Sequence, residues 1–297
     1  MKSKVYFTKE CTPENVVRLY EALQVNLPGK VAVKVHSGEK GNQNFLRPEF
    51  WKPMVERVDG TIVECNTAYG KASVGVRDYT GEHLKLIEYH GWNRLFHVDL
   101  MDAEGPDVVW NIPNGKVLKT NTVGKNILNY DSMLVLAHFK GHPMGGYGGA
   151  LKQLSIGCAS RAGKALIHSG GHTDDNVKTW DIHAEQDTFC EAMADAASSV
   201  VAHFSGKIAF VNVMKNLSVD CDCCAVAEDP CMKDIGILAS IDPVAIDQAC
   251  MDLIYAATDD PGQAHFLERV ESRHGVHTIE AAAALGFGSR EYELVTI

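Results

Sequence analysis

The chain reads as an α/β protein with a mostly parallel sheet flanked by helices and some antiparallel strands. Three observations predict this fold. Strand-like and helix-like stretches alternate along the 297 residues, the pattern of a parallel sheet with crossover helices. The run at residues 31–35 (VAVKV) is continuously apolar apart from Lys34, which suits a strand covered on both faces. Two helix starts carry a capping residue followed by proline, Thr12-Pro13 and Asp242-Pro243, where the missing proline N–H costs nothing.

Taken in order, residues 5–7 form a first short strand and Thr12 caps a first helix. Residues 31–35 form a buried strand, followed by a polar, Gly-containing loop over 37–44. Arg47-Pro48-Glu49 opens a second helix, and residues 61–63 are a strand. Residues 80–90 are amphipathic and helical, and 95–98 are strand-like. Residues 107–119 suit antiparallel strands around the turn signal Pro113-Asn114-Gly115. Residues 132–137 read as a central strand, 185–203 as a long helix, 207–214 and 235–239 as strands, and 242–257 as a helix. There is no repeat, low-complexity tract or long linker. The length leaves room for one domain or for two interlocked lobes, about 1–130 and 131–297.

Composition narrows the function. Lys plus Arg is 28 against 38 for Asp plus Glu, a formal net charge of −10, so nucleic-acid backbone is a poor partner. Aromatic residues are 8% and scattered, giving no platform for stacked bases. No apolar stretch approaches the roughly 20 residues that span a bilayer. The N-terminus lacks the apolar core of a secretory signal, so a cytoplasmic location without membrane contact is expected.

Nine cysteines are present, and Cys221, Cys223, Cys224 and Cys231 fall within eleven residues. Such clustering favours metal or redox chemistry over a disulfide framework. In extended chain Cys221 and Cys223 point to one side, able to clamp a soft metal that Cys231 or Asp220 completes. Thiolates favour zinc, copper(I) or iron–sulfur clusters, although the spacing CxCC-x6-C is not that of a zinc knuckle or ferredoxin. Reduced loop thiols or a redox pair are the plainer alternatives, and an approach by Cys158 would favour the metal.

The most distinctive segment runs from residue 137 to 168. It leaves a strand, where ligand sites of open α/β sheets tend to lie. Four glycines in five positions (145, 146, 148 and 149) let backbone approach a ligand and turn N–H groups toward an anion. Neither a P-loop nor a GxGxxG order is present. His138, His142, His168 and His172 bracket this loop and Lys152. Imidazole ligates nickel, zinc or iron and titrates near neutrality, and a lysine at such a turn offers a positive point or an amine nucleophile. His36 and Glu39, with Asn44 and Arg47, make a plausible second wall. Asp242 and Asp247 read as helix-capping and dipole-favourable residues, and His83, His90 and His97 as structural ones.

Several stretches resemble the domain of unknown function 362 family, whose bacterial and archaeal members are sometimes fused to ferredoxin modules. They are residues 34–42 with Leu46-Arg47-Pro48, residues 64–69, the Gly-rich loop with Leu151-Lys152 and residues 157–160, residues 220–223, residues 240–247, and residues 285–288 before Tyr292. The resemblance implies a single α/β domain over 1–297. No CxxCxxC run follows His168, so no ferredoxin insert is expected. It implies no activity, because members mostly lack an assigned one.

The spacing His142-x9-Lys152-x15-His168 is more distantly similar to the motif of nickel-pincer lactate racemases. That likeness implies Lys152 as cofactor tether or anion anchor, His168 as metal ligand, His142 as acid/base and Arg47 as an anion contact. A match for the racemases' second catalytic histidine is missing, since Ala68-Tyr69 falls in that region.

The expected protein is therefore a metal- or cofactor-dependent enzyme, of oxidoreductase or isomerase type, doing redox or proton/hydride transfer on a small anionic molecule. His142 and Lys152 are its catalytic candidates. Arg47, Gly146, Gly148, Gly149 and Lys152 are candidates for cofactor binding. His168, Cys221, Cys223, Cys224 and Cys231 are candidates for a metal ion or cluster, nickel-pincer or iron–sulfur. Two alternatives stay open: an electron-transfer or metal-handling protein that uses the cysteine cluster with a redox partner protein, and a non-catalytic anion-binding module.

Overall fold

The computed structural model describes residues 2–69, 75–105 and 107–297. One eight-stranded sheet has the order Tyr292–Thr296, Ser3–Thr8, Gly236–Ser240, Ile208–Met214, Ser132–His138, Val31–Lys34, Thr61–Glu64, Val98–Leu100. From Ile208–Met214 to Val98–Leu100 all neighbours are parallel. Gly236–Ser240 runs antiparallel to both of its neighbours. The mostly parallel α/β fold with some antiparallel strands is the one expected, and the sheet draws strands from both sides of residue 130.

Ser132–His138 is buried at every position, and its alternate side chains serve two cores. Leu134 and Leu136 join Val31, Val33 and Val211 against Val16, Leu19, Trp51 and Met54 of the helices Pro13–Ala22 and Pro48–Arg57. Met133 and Val135 join Ala32 and Phe210 against residues of Ala150–Cys158, Gln186–His203 and Pro243–Ala256. Burial on both faces is why these strands are apolar without alternation. Among the described residues, no helix is long and apolar enough to cross a membrane.

The proline-led helix starts form as expected. Thr12 accepts the Asn15 N–H at 3.3 Å, and Asp242 accepts those of Val244 and Ala245 at 2.9 and 3.0 Å. Replacing Thr12 with alanine is expected to cost about 1 kcal/mol, read as a lower urea midpoint with an unchanged slope.

Two segments depart from expectation. Residues 95–98 are not one strand: a short helix, Trp92–Leu95, precedes the strand Val98–Leu100. The turn is held by Trp92, fully buried with its Nε1 donating to the Ser37 carbonyl at 3.0 Å. Over 107–119 the strand Val108–Asn111 forms, but its partner is Thr120–Val123. The intervening amides of Lys116, Val117 and Leu118 bond the Asp195 carboxylate at 2.6–2.8 Å, so a side chain satisfies what a second strand would have.

Candidate active site and metal centre

The neighbouring strands Val31–Lys34 and Ser132–His138 feed opposite halves of the sheet, toward Thr61–Glu64 and Ile208–Met214. Their C-terminal ends bound the crevice where open α/β sheets hold ligands. A cavity of about 400 Å³ lies there, walled by strand ends, by the loops that follow them and by the helices Ala150–Cys158 and Arg161–His168.

Its floor is ionic. Lys34 Nζ bonds Glu64 Oε2 at 2.8 Å, and Arg77 meets Glu39 at 3.2 Å and Glu64 at 3.5 Å. Burial alone would raise the Glu64 pKa, but Lys34, His36, Arg77 and His83 outweigh it and hold the carboxyl well below its ordinary range. Four cations, Lys34, Arg77, Lys152 and Lys164, line the cavity against one carboxylate, Glu64. The protein is acidic as a whole, yet this pocket favours anions.

One end of the cavity carries sulfur. The ligand atoms of His142, Cys221 and Cys223 all lie within 4.8 Å of one another. The loop is pinned from outside: Asn42 Nδ2 donates to the carbonyls of Cys221 and Cys224, Tyr69 O–H to that of Cys223, and the Glu39 N–H to that of Asp222. Asp222 accepts from His138 Nδ1 and Lys140 Nζ, each at 2.9 Å. Lys152 Nζ stands 3.6 Å from Cys221 Sγ. Burial pushes the Cys221 thiol up, but the bond from Cys223 and the charges of Lys152 and Lys140, with His142 beside them, bring it well below the ordinary thiol range. Cys223 is driven the other way, first by its bond to Cys221. The two sulfurs are thus shifted in opposite directions. Burial opposes the charge on Lys152, yet Cys221 and Cys223 keep its pKa above the ordinary value.

His142 is pushed down to about 4 by burial and by Lys152, so it is neutral. Its Nδ1 accepts the N–H groups of Met144 and Gly145 at 3.1 and 2.9 Å. The ring proton therefore sits on Nε2, which faces Cys223 Sγ at 3.8 Å. His168 lines the cavity, stacked on Phe189 with centroids 4.9 Å apart, and its buried Nδ1 has no partner. Burial, His142 and Lys152 hold it at about 3.

The sequence-predicted residues divide. His142, Lys152, His168, Cys223 and Cys224 line the cavity, with Cys221 buried beside Lys152. His36 lines it too, and Glu39 joins its ionic floor. Arg47 does not reach it: the side chain is exposed and its guanidinium stacks 3.9 Å from the Phe45 ring centroid. Cys231 stands apart from the sulfur cluster, its Sγ donating to the Leu217 carbonyl at 3.4 Å. Cys158 bonds within its own helix, to the Gln153 carbonyl.

Gly146, Gly148 and Gly149 meet protein rather than a free anion nest. Gly146 has φ +76° and packs on the backbone of Gly275, and Gly148 lies beside the Lys152 side chain. A Cβ on Gly149 would strike the Asp247 carboxylate. Asp247, expected to serve the start of its own helix, instead accepts the N–H groups of Ala150 and Leu151 at 2.8 and 3.0 Å. It fills the helix N-terminus where an external anion was expected.

Lys34, Glu64, Arg77, Gln153, Lys164 and Trp180 are wall residues that sequence reasoning did not single out. Lys34 carried a signal, a charge inside an apolar strand.

Fold and site together define an α/β protein with a cationic ligand cavity and a thiol–imidazole cluster at its sheet crossover. The model of the domain of unknown function 362 family matches residues 31–252, and the chain belongs to that family. No curated protein matches it. Among solved structures, the chain is similar to a Thermotoga maritima protein determined by structural genomics, at 11% identity and TM-score 0.42, over 93% of this chain and 59% of that one. It is also similar to the lactate racemase apoprotein from Thermoanaerobacterium thermosaccharolyticum, at 14% identity and TM-score 0.37, over 72% of this chain and 51% of that one. The chain thus spans little more than half the length of either.

Proposed function

We propose that the chain is an enzyme that holds a small anionic substrate in the cationic cavity and moves a proton on it through Lys152. One observation carries this reading: the half-buried ammonium of Lys152, lining the cavity, stands 3.6 Å from the Cys221 sulfur. Lys152 faces the ligand and Cys221 stands behind it. Lys152 first passes its proton to Cys221 behind it, the neutral amine then takes the carbon-bound proton of the substrate, and the reverse sequence returns a proton that has exchanged with solvent. His142, with its proton on Nε2, serves as a hydrogen-bond donor to the sulfurs.

The donor set also suits a thiophilic metal held by Cys221 and Cys223. A metal bound there supplies Lewis-acid or redox chemistry. His142 does not fit as its third ligand in the present ring orientation, because a metal-bound imidazole donates its other N–H outward and this Nδ1 accepts. The nickel-pincer likeness fits in part. The unpartnered Nδ1 of His168 suits a ligand, but a lysine held charged by a thiolate does not suit a covalent tether.

The test is hydrogen exchange in heavy water, followed by proton NMR on a panel of small hydroxy and oxo acids. Loss of a carbon-bound proton signal is expected, slowed at least about a hundredfold in Lys152→Met. Acids that bind without exchange, or exchange indifferent to Lys152→Met, would reject the reading. The closeness of the Cys221 and Cys223 sulfurs favours metal handling as a second reading. Protein purified without oxygen would then carry a thiophilic metal or cluster, lost with its charge-transfer absorption in Cys221→Ser/Cys223→Ser.

A further inference from the structure

The cavity wall also holds three polar groups that the proposed chemistry does not use. Gln153 and Thr67 are 6% and 7% exposed, line the cavity, and leave Gln153 Nε2 and Thr67 Oγ1 without any partner. The Gln153 amide cannot turn freely, because its Oε1 accepts from Lys34 Nζ at 3.0 Å and Lys34 is itself paired with Glu64. Its NH₂ is thereby fixed as a donor. Lys164 is 5% exposed and lines the same wall. Among the described residues its Nζ makes one hydrogen bond, to the Ala159 carbonyl at 2.6 Å, and no ion pair. Asp102, partly exposed but with its buried Oδ2 unpartnered, attracts Lys164 without pairing.

Gly157 shows that this arrangement is built. A Cβ there would come within 2.8 Å of both Gln153 Oε1 and Lys34 Cε, and a glycine inside a helix otherwise costs stability. Buried donors left unpaired are costly. A ligand that satisfies them recovers that cost.

We infer that Gln153, Thr67 and Lys164 form a subsite for the carboxylate of the substrate within the cavity that Lys152 also lines. The inference deepens the proposed function and rests on its reading that the cavity takes a small anion. One unpaired ammonium, one amide and one hydroxyl match the single charge and two oxygens of a carboxylate better than the double charge of a phosphate. The substrate class is then a small monocarboxylic acid whose reacting carbon reaches Lys152.

Calorimetric titration with propionate, inorganic phosphate and the neutral analogue propionamide tests this. Propionate is expected to bind and propionamide not. Gln153→Leu and Lys164→Met should each weaken propionate about ten- to hundredfold, with Lys164→Arg recovering part of the loss. Gln153→Glu, which keeps the Lys34 bond and adds a negative charge, should abolish binding. Cys231→Ser should change nothing. Should Lys164→Met fail to fold, the near-isosteric Gln153→Leu and Thr67→Val carry the test.

Propionate bound equally by wild type and these variants would overturn the subsite and leave the anion-binding cavity standing. Phosphate preferred over propionate would overturn the carboxylate assignment. No anion bound by wild type would overturn the proposed function and the subsite with it.

Discussion

Replacing Glu64 with leucine is expected to destabilise the protein by about 3–5 kcal/mol, because it strands buried positive charge. Arg77 keeps Glu39 as a partner. Lys34, fully buried, is left with the Val35 carbonyl and the Gln153 amide oxygen alone. Removing both charges in Lys34→Met/Glu64→Leu should recover much of the loss, since a buried pair costs desolvation that apolar residues do not. Urea denaturation of the two single variants and the double variant measures the coupling. Additive losses would mean that the pair does not act as a unit. The pH dependence has a definite sign. The folded-state pKa of Glu64 lies well below its ordinary value, so its stabilisation is fully present above the unfolded pKa of about 4.3. That stabilisation fades as pH falls through the folded value. The variant should therefore lose less stability than wild type on acidification below about pH 4.

How far this site is legible in the sequence depends on the range of the interactions that build it. The capping residues Thr12 and Asp242 act within three positions of themselves, and both read correctly. The i, i+2 spacing of Cys221 and Cys223 is local as well, and their sulfurs do lie within 4.8 Å of each other. His142 and Lys152 stand on the two sides of one glycine-rich turn, so their convergence is a short-range inference too. Arg77 is different. It reaches the cavity through partners at Glu39 and Glu64, and nothing near it in the chain signals a buried guanidinium. Gln153 and Lys164 sit in helices whose buried faces depend on which strand they cover. Asp247 illustrates the opposite failure. Its position in the first turns of a helix suggests a local role, while its carboxylate spans about a hundred residues of sequence to close the turn before Leu151. Arg47 lies within a recognisable motif, but a neighbouring aromatic ring captures its side chain. The strand Tyr292–Thr296 is half exposed at the sheet edge, and without a buried face its residues carry no periodic signal.

Replacing Lys152 with methionine is expected to raise the Cys221 pKa in chelator-treated protein. The thiolate is the charged form, and an ammonium 3.6 Å away favours it. Removing that cation favours the neutral thiol, so the titration must move upward. Lys140 and His142 remain nearby, and the Cys223 N–H still donates to Cys221 Sγ at 3.4 Å, so the shift should stop short of the value set by burial alone. Ultraviolet absorption of the thiolate, followed against pH, reads the change, with Cys221→Ser identifying the band. Lys152→Arg keeps the charge and should leave the titration near that of wild type. An unmoved titration in Lys152→Met would mean that the other groups hold the thiolate. Lys152 would then lose the proton-sharing partner on which its proposed role depends. The linkage runs both ways, since the thiolate that lowers its own pKa beside the ammonium raises that of the lysine. Cys221→Ser should therefore let burial depress the Lys152 pKa, releasing its proton at lower pH. In Cys221→Ser, a rate profile whose limb moves to lower pH would mark this coupling, and an unmoved limb would mean that the two groups titrate independently.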